Sequence, residues 1–225
     1  LVDAAPLERD SRVFEIGFGA GALLARFGQS GHVVGGCDPD QLKVGVDPAI
    51  QRDGLIFNTG IEDVQVPAEG FDLVYGIHVI EHVMHIHKTV ESALGLLKPG
   101  GRLVLFTPGA DSYSLAAFSD AWWLLEDPTH IRFFSKQSLR KLLQDHGYTK
   151  VLVSRGLTDN LTMEGASILR LFRKSSSPGG VLTTTLNRLF ATGFAPIALL
   201  VRALVPRWRP TLIVTASRPL ENSQR

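Results

Sequence analysis

The sequence predicts an α/β fold: a doubly wound, seven-stranded, mostly parallel sheet with an antiparallel last strand and a helical insert ahead of that strand. Three observations lead there. Short apolar runs alternate with helical patterns through the first 155 residues, as they do when a parallel sheet carries helices on both faces. A glycine-rich turn, E-I-G-F-G-A-G at 15–21, separates the first apolar run from the first helical pattern. The second apolar run ends in an acidic turn, CDPD at 37–40.

The elements follow in order. Val13–Ile16 reads as a buried strand, and Leu23, Leu24 and Phe27 mark the helix behind it. His32–Gly36 is the second strand, 55–57 the third and 71–76 the fourth. A helix at 89–97 closes on KPGG, where Gly100 and Gly101 supply a turn into the fifth strand at 102–108. Ser135 is placed as the N-cap, and Gly147 as the stop, of a helix at 135–147. Strands at 149–154 and 211–217 complete the set, the last expected antiparallel beside the fifth and sixth. One domain over 1–225, with the insert at about 156–209, is the expectation for 225 residues.

Composition narrows the function classes without choosing one. With 44% hydrophobic and 20% charged residues and a formal charge of +1, the chain reads as an ordinary globular protein rather than a nucleic-acid coat or a disordered segment. Its single cysteine, Cys37, excludes a disulfide framework and any multi-thiolate zinc site, so a reducing, cytoplasmic location is expected. The opening LVDAAPLERDSR lacks the basic and apolar regions of a secretory signal, and the chain reads as truncated at its start.

The chemistry begins at the glycine turn. Gly17, Gly19 and Gly21 let the backbone turn tightly and approach a ligand, while the helix start offers unpaired N–H groups. A tight turn without a ligand has the same sequence, so the second signal discriminates. Seventeen residues past Gly21, Asp38 ends the second strand, where in a Rossmann-like sheet a carboxylate accepts hydrogen bonds from ribose hydroxyls. The alternative for Asp38 is a cap or turn residue before Pro39. Together the two signals point to a nucleoside ligand. A dinucleotide site would read G-x-G-x-x-G, whereas position 22 holds Ala22.

These residues resemble a known family, the class I S-adenosylmethionine (SAM)-dependent methyltransferases, in the subgroup with a methyltransferase 11/23 type of domain. The resemblance runs from about Val13 to Val153. VFEIGFGAG resembles the first motif of the family, whose acidic residue and glycines surround the methionine end of the cofactor; this implies contacts from Glu15, Gly17, Phe18, Gly19 and Gly21. CDPD is similar to the ribose-binding acidic loop and implies Asp38 and Pro39. FDLVYGIHVIEHV at 71–83 resembles the fourth-strand motif and implies Gly76, Ile77 and His78. LKPGGRLVLFTP at 97–108 resembles the next helix–turn–strand motif. One departure stands out: where the family often has an aspartate for the adenine amino group, this chain reads Thr59-Gly60-Ile61-Glu62-Asp63. Ile61 and Glu62 are the expected substitutes, with weaker cofactor affinity as the result.

Methyl transfer is an in-line displacement, and positioning alone can supply roughly 7–11 kcal/mol of barrier reduction. What remains is the proton of the acceptor. His82 and His130, both expected at the carboxyl edge of the sheet, are the candidate general bases; the competing role for each is a structural tether. DPTHIRFFSKQSL at 127–139, which holds His130, is similar to a segment that places a histidine near the acceptor pocket. Trp122 and Trp123 are expected either to wall that pocket with His130 or to pack a core or lid. His78, His82, His85 and His87 raise a metal reading, but Glu81 at helical spacing would point away from them, and no metal is expected.

From Gly165 to Arg225 the chain carries nine Lys or Arg residues against one acidic residue, Glu221, an asymmetry that the overall neutrality hides. The apolar run at 189–205 is too short, and too interrupted by Gly193, Pro196 and Arg202, to span a membrane. It reads either as helices covering the sheet or active site with arginines on the solvated face, or as peripheral contact with the inner membrane face through 181–209. The expected function is therefore SAM-dependent methyl transfer to a small-molecule, lipid or glycan hydroxyl. No nucleic acid and no obligate protein partner is inferred. Two other readings stay open: a methyltransferase-like scaffold without catalysis, and an NAD-dependent enzyme.

Overall fold

A computed structural model of the chain describes residues 7–40, 55–65, 69–172 and 180–220. Seven strands form one sheet: β1 (Arg12–Ile16), β2 (Val33–Cys37), β3 (Leu55–Phe57), β4 (Phe71–Ile77), β5 (Leu97–Pro108), β6 (Thr149–Arg155) and β7 (Thr211–Ser217). Their order is β3-β2-β1-β4-β5-β7-β6, with β7 antiparallel to both neighbours and the other pairings parallel. The expected sheet is the one that forms.

Neighbouring residues of the central strands serve two cores. Phe14 and Val74 face one layer with Phe71, Leu103 and Leu139, whereas Val13 and Leu73 face the other with Leu24, Phe27 and Tyr75. A strand buried on both faces is a near-continuous apolar run, which is why β1 and β4 were legible without alternation. Helices α1 (Ala22–Gln29), α2 (Ile86–Leu96), α3 (Tyr113–Phe118) and α4 (Lys136–Asp145) connect the strands. Ser135 caps α4 as expected: its hydroxyl accepts from the Ser138 N–H at 3.0 Å, and the Ser138 hydroxyl accepts from the Ser135 N–H at 2.9 Å.

Two expectations are corrected. β5 begins at Leu97, not 102, because Leu97 pairs with Phe71 across a register shift; the KPGG stretch is thus an irregularity within the strand. The tail, in turn, keeps Arg188 and Arg207 exposed as expected but takes Arg202 out of water. It folds as α5 (Met163–Phe172) and α6 (Thr185–Leu204), which approach so closely that a Cβ on Gly165 would lie 2.6 Å from the Cα of Ala191. Arg202 is fully buried between them. Its guanidinium holds Glu164 at 2.7 Å through two nitrogens and donates to the carbonyls of Asp159 and Asn160 at 2.5 and 3.0 Å. The outward side of α6 is apolar instead, with Leu186, Leu189, Ile197, Leu200 and Leu204 exposed. Apart from Gly180, the break at 175–180 lies outside the described residues.

Removing one member of a buried ion pair strands the other without solvent. Arg202→Ala should therefore lower unfolding stability by about 3–5 kcal/mol in a denaturant titration. Lys141→Ala, which removes an exposed pair with Asp145, should leave the midpoint nearly unchanged.

Candidate active site

The strand order reverses between β1 and β4, so the loops leaving their carboxyl ends diverge and open a crevice. The loop after β1 turns through Gly17, Gly19 and Gly21, all in the left-handed region. Gly17 is needed on a second count, since a Cβ there would overlap the side chain of Val79 on the opposite loop. Asp38 fixes the middle of the turn: one carboxylate oxygen accepts the Gly19 N–H at 2.7 Å and the other the Asp40 N–H at 2.9 Å.

Between these loops lies a cleft of about 710 Å³. Gly17, Gly19, Asp38, Pro39, Ile61 and Glu62 line it, as the sequence reading placed them. The Thr89 hydroxyl donates to Glu62 at 2.5 Å and so orients that carboxylate. Other expected residues are elsewhere. Glu15 turns into the protein and accepts the Tyr75 hydroxyl at 2.7 Å. Burial raises its pKa to about 7 against the opposing pull of that hydrogen bond, and the charge of Asp38 adds to the rise. Phe18 packs in the core, Gly21 precedes α1, and Gly76 and Ile77 stay within β4. Val79, Val83, Met84 and Thr129 join the cleft wall without any sequence signal, because only the folded loops bring them there.

His78 is placed off this cleft and is not a free base. Its backbone is left-handed, and its ring lies between two carboxylates: Glu81 at 3.1 Å from Nδ1 and Asp159 at 2.9 Å from Nε2. Burial alone would depress its pKa, but the hydrogen bonds and charges of Asp159 and Glu81 outweigh it and raise it to about 9. His78 is thus an imidazolium at neutral pH. Residues 78–85 form turns rather than a helix, so Glu81 faces His78 instead of pointing away.

His82 and His130 are brought together, their ring centroids 4.6 Å apart. The 127–134 stretch is fastened to the loop after β4 by the Ile131 N–H on the Glu81 carbonyl at 3.1 Å and by Arg132 on the Val83 carbonyl at 2.6 Å. Each ring faces a backbone carbonyl through Nδ1: Thr129 at 3.1 Å for His82, Leu124 at 2.6 Å for His130. A carbonyl only accepts, so when neutral both rings carry hydrogen on Nδ1 and a lone pair on Nε2. Burial pushes the Asp127 carboxyl up, but the Thr129 hydroxyl, which it accepts at 2.6 Å, the Thr129 N–H and the charges of His130 and His82 together outweigh that and hold it below the ordinary range.

A second cavity, of about 540 Å³, adjoins the first at His82, which lines both. Trp123, Leu124, Pro128 and His130 form one side of it, and Asn160 and Gly180 from the tail form the other. Trp122 is a correction to the expected pocket. It is fully buried in a separate cluster with Leu124 and Met163, because α5 packs over it. Among the described residues, Glu81, His82 and His130 present potential metal ligands within 4.8 Å of one another, although both Glu81 oxygens already engage His78 and Thr107.

Comparison with known proteins adds to this geometry. A family model described as a methyltransferase domain matches residues 1–153, more than half of the chain. The chain is 28% identical over 163 residues to the mitochondrial ubiquinone biosynthesis O-methyltransferase of Mus musculus, covering 66% of this chain and 44% of that protein. It is 29% identical over 181 residues to the ubiquinone/menaquinone biosynthesis C-methyltransferase of Pseudomonas putida, covering 67% and 70%. Its fold is similar to that of phosphoethanolamine N-methyltransferase 2 from Haemonchus contortus in complex with S-adenosyl-L-methionine, with a TM-score of 0.63, 15% identity and coverage of 97% and 51%. The chain spans roughly half the length of the first curated relatives it matches.

The pairing of His78 gives a pH signature. Its folded pKa lies above the ordinary 6.5, so the stability it contributes should be complete below that value and lost as pH rises through about 9. Asp159 is held below its ordinary 3.8 chiefly by His78, against the upward push of burial, and its contribution should be lost as pH falls through that depressed value. NMR titration should find the His78 ring titrating near 9, and nearer neutrality in Asp159→Asn.

Proposed function

The chain belongs to the class I SAM-dependent methyltransferases, and on that premise we propose that it transfers a methyl group from SAM to a hydroxyl of a small-molecule, lipid or glycan acceptor. The observation that carries this reading is the shared wall at His82: a nucleoside-sized cleft and a second, aromatic-walled cavity meet at one imidazole. Two co-substrates need two adjoining volumes, with the reacting groups facing across the boundary.

The chemistry of the first cleft suits the cofactor. Asp38 would take the ribose hydroxyls, the bare backbone at Gly19 leaves room for close approach, and Ile61 with Glu62 would hold the base in place of the missing aspartate at Gly60. When bound, SAM supplies an electrophilic methyl carbon on a sulfonium whose departing thioether is neutral. The task left to this chain is to hold the acceptor and take its proton. His82 and His130 each offer Nε2 for that proton while a carbonyl on Nδ1 holds the ring in orientation, and Trp123, Leu124 and Pro128 limit water at the second cavity.

The mouse and Pseudomonas relatives differ in methylating oxygen and carbon by their names, and both names place them on small molecules of quinone biosynthesis. Two poised imidazole bases favour an acceptor that must surrender a proton, which supports the hydroxyl. The apolar outer side of α6, with Leu186, Leu189, Ile197, Leu200 and Leu204, supports peripheral contact with a membrane surface through 181–209. Among the described residues, no helix is long and apolar enough to cross a membrane.

Isothermal titration with SAM, S-adenosylhomocysteine and NAD tests the cofactor reading. SAM and its product should bind and NAD should not, and Asp38→Ala should lose most of that affinity; NAD binding alone would overturn the proposal. With an acceptor found by a screen of hydroxylated compounds, His82→Ala and His130→Ala should lower kcat, the stronger effect falling in the range of about 10²–10⁴-fold expected of a general base. Unchanged kcat in both variants would remove the histidines from the chemistry.

A further inference from the structure

A third cavity, of about 630 Å³, opens at the carboxyl edge where β5, β6 and the segment entering β7 converge, and none of its lining residues belongs to the two cavities above. Its wall carries four cations, Lys136, Arg155, Arg207 and Arg209, against one carboxylate, Asp111, so three positive charges are left over. Asp111 is already committed to Arg155, at 2.5 Å. Arg155 and Arg209 are also held by backbone: Arg155 donates to the Arg209 carbonyl and Arg209 to that of Arg202, each at 2.9 Å. These contacts fix guanidinium positions without neutralising their charge.

Of the other two cations, Lys136 shares Asp111 with Arg155, its backbone N–H donating to the second carboxylate oxygen at 3.4 Å. The Arg207 guanidinium lies over the Tyr113 ring, 4.5 Å from its centre. Lys136 begins α4, where its charge opposes the positive end of the helix dipole. Burial holds its pKa below the ordinary lysine range, and the charges of Arg155, Arg140 and Arg209 push the same way against the weaker pull of Asp111. Like charges assembled this closely oppose folding unless something negative joins them.

We propose that this cleft is an anion-binding site for a phosphate-type group, a phosphate monoester or a diphosphate. Guanidinium forks favour tetrahedral oxyanions over single point charges, the ammonium adds a further donor, and a multiply charged anion matches the surplus better than a lone carboxylate. The site is independent of the methyl-transfer reading. Such a group reaches it from a soluble phosphate-bearing molecule or from a lipid headgroup; the latter source is close by in the chain, because Arg207 lies two residues past the exposed Leu204 and Val205 pair, across Pro206.

The test titrates the full chain with inorganic diphosphate and, separately, with vesicles of phosphatidylglycerol or phosphatidylcholine. Lys136→Ala and Arg207→Gln should each weaken anion binding about tenfold, the effect of one charge-assisted hydrogen bond. Lys141→Gln, an equal loss of charge on the exposed part of the same helix, should not, and retained thermal unfolding in all three variants verifies the fold. Diphosphate binding without vesicle binding assigns a soluble ligand. Phosphatidylglycerol binding that diphosphate displaces, with phosphatidylcholine inert, assigns a headgroup. No binding in either arm, or binding that the cleft variants leave intact or that Lys141→Gln weakens equally, overturns the site.

Discussion

The crossing of two loops at the reversal of strand order is the constraint on which the site depends. β1 and β4 are adjacent, yet the chain departs from them toward opposite edges of the sheet, which leaves a crevice at their carboxyl ends. Only a residue without Cβ lets the first loop pass Val79, and Gly17 is that residue. Once it passes, Asp38 fastens the turn through the Gly19 N–H, and the cleft takes its shape from backbone already fixed by the sheet. The same crossing sends the second loop out as His78–His85, so the candidate nucleoside site and His82 share one wall.

The tail is tied to this arrangement by charge as well as by the apolar packing of Met163 on Trp122 and Leu124. Arg202 engages Glu164 and the carbonyls of Leu157, Asp159 and Asn160, which sets the loop leading into α5. From that loop Asp159 reaches His78, which in turn reaches the fully buried Glu81. Desolvating each of these charges alone would be costly; in sequence each has a partner and hydrogen bonds. The helical insert therefore does more than roof the sheet, since a contact buried between its helices orders the residues beside His82.

Much of this was legible in the residues. The strands, the glycine turn and Asp38 are local signals, fixed by apolar runs and by punctuation within a few residues, and β3 and β7 fall at the bounds read from sequence. The approach of His82 to His130 was legible only as a shared edge of the sheet. What the sequence could not carry are partnerships across long separations. His78 reads as a cofactor contact until Asp159, 81 residues on, is seen to hold it as a cation. Trp122 and Trp123 are adjacent and identical in kind; one is buried under α5 while the other faces the second cavity, and nothing before the packing of α5 distinguishes them. Arg202 misleads for the same reason, as its partner Glu164 lies on another helix.

The central claim is that the crevice beneath the Gly17–Val79 crossing holds the nucleoside and meets the acceptor at His82. A crystal structure of the chain with S-adenosylhomocysteine tests it most directly. The account predicts ribose hydroxyls on Asp38, the adenine beside Ile61 and the sulfur turned toward the wall formed by His82. Density for the ligand in another cavity, or in the cleft with its sulfur facing away from His82, would contradict it.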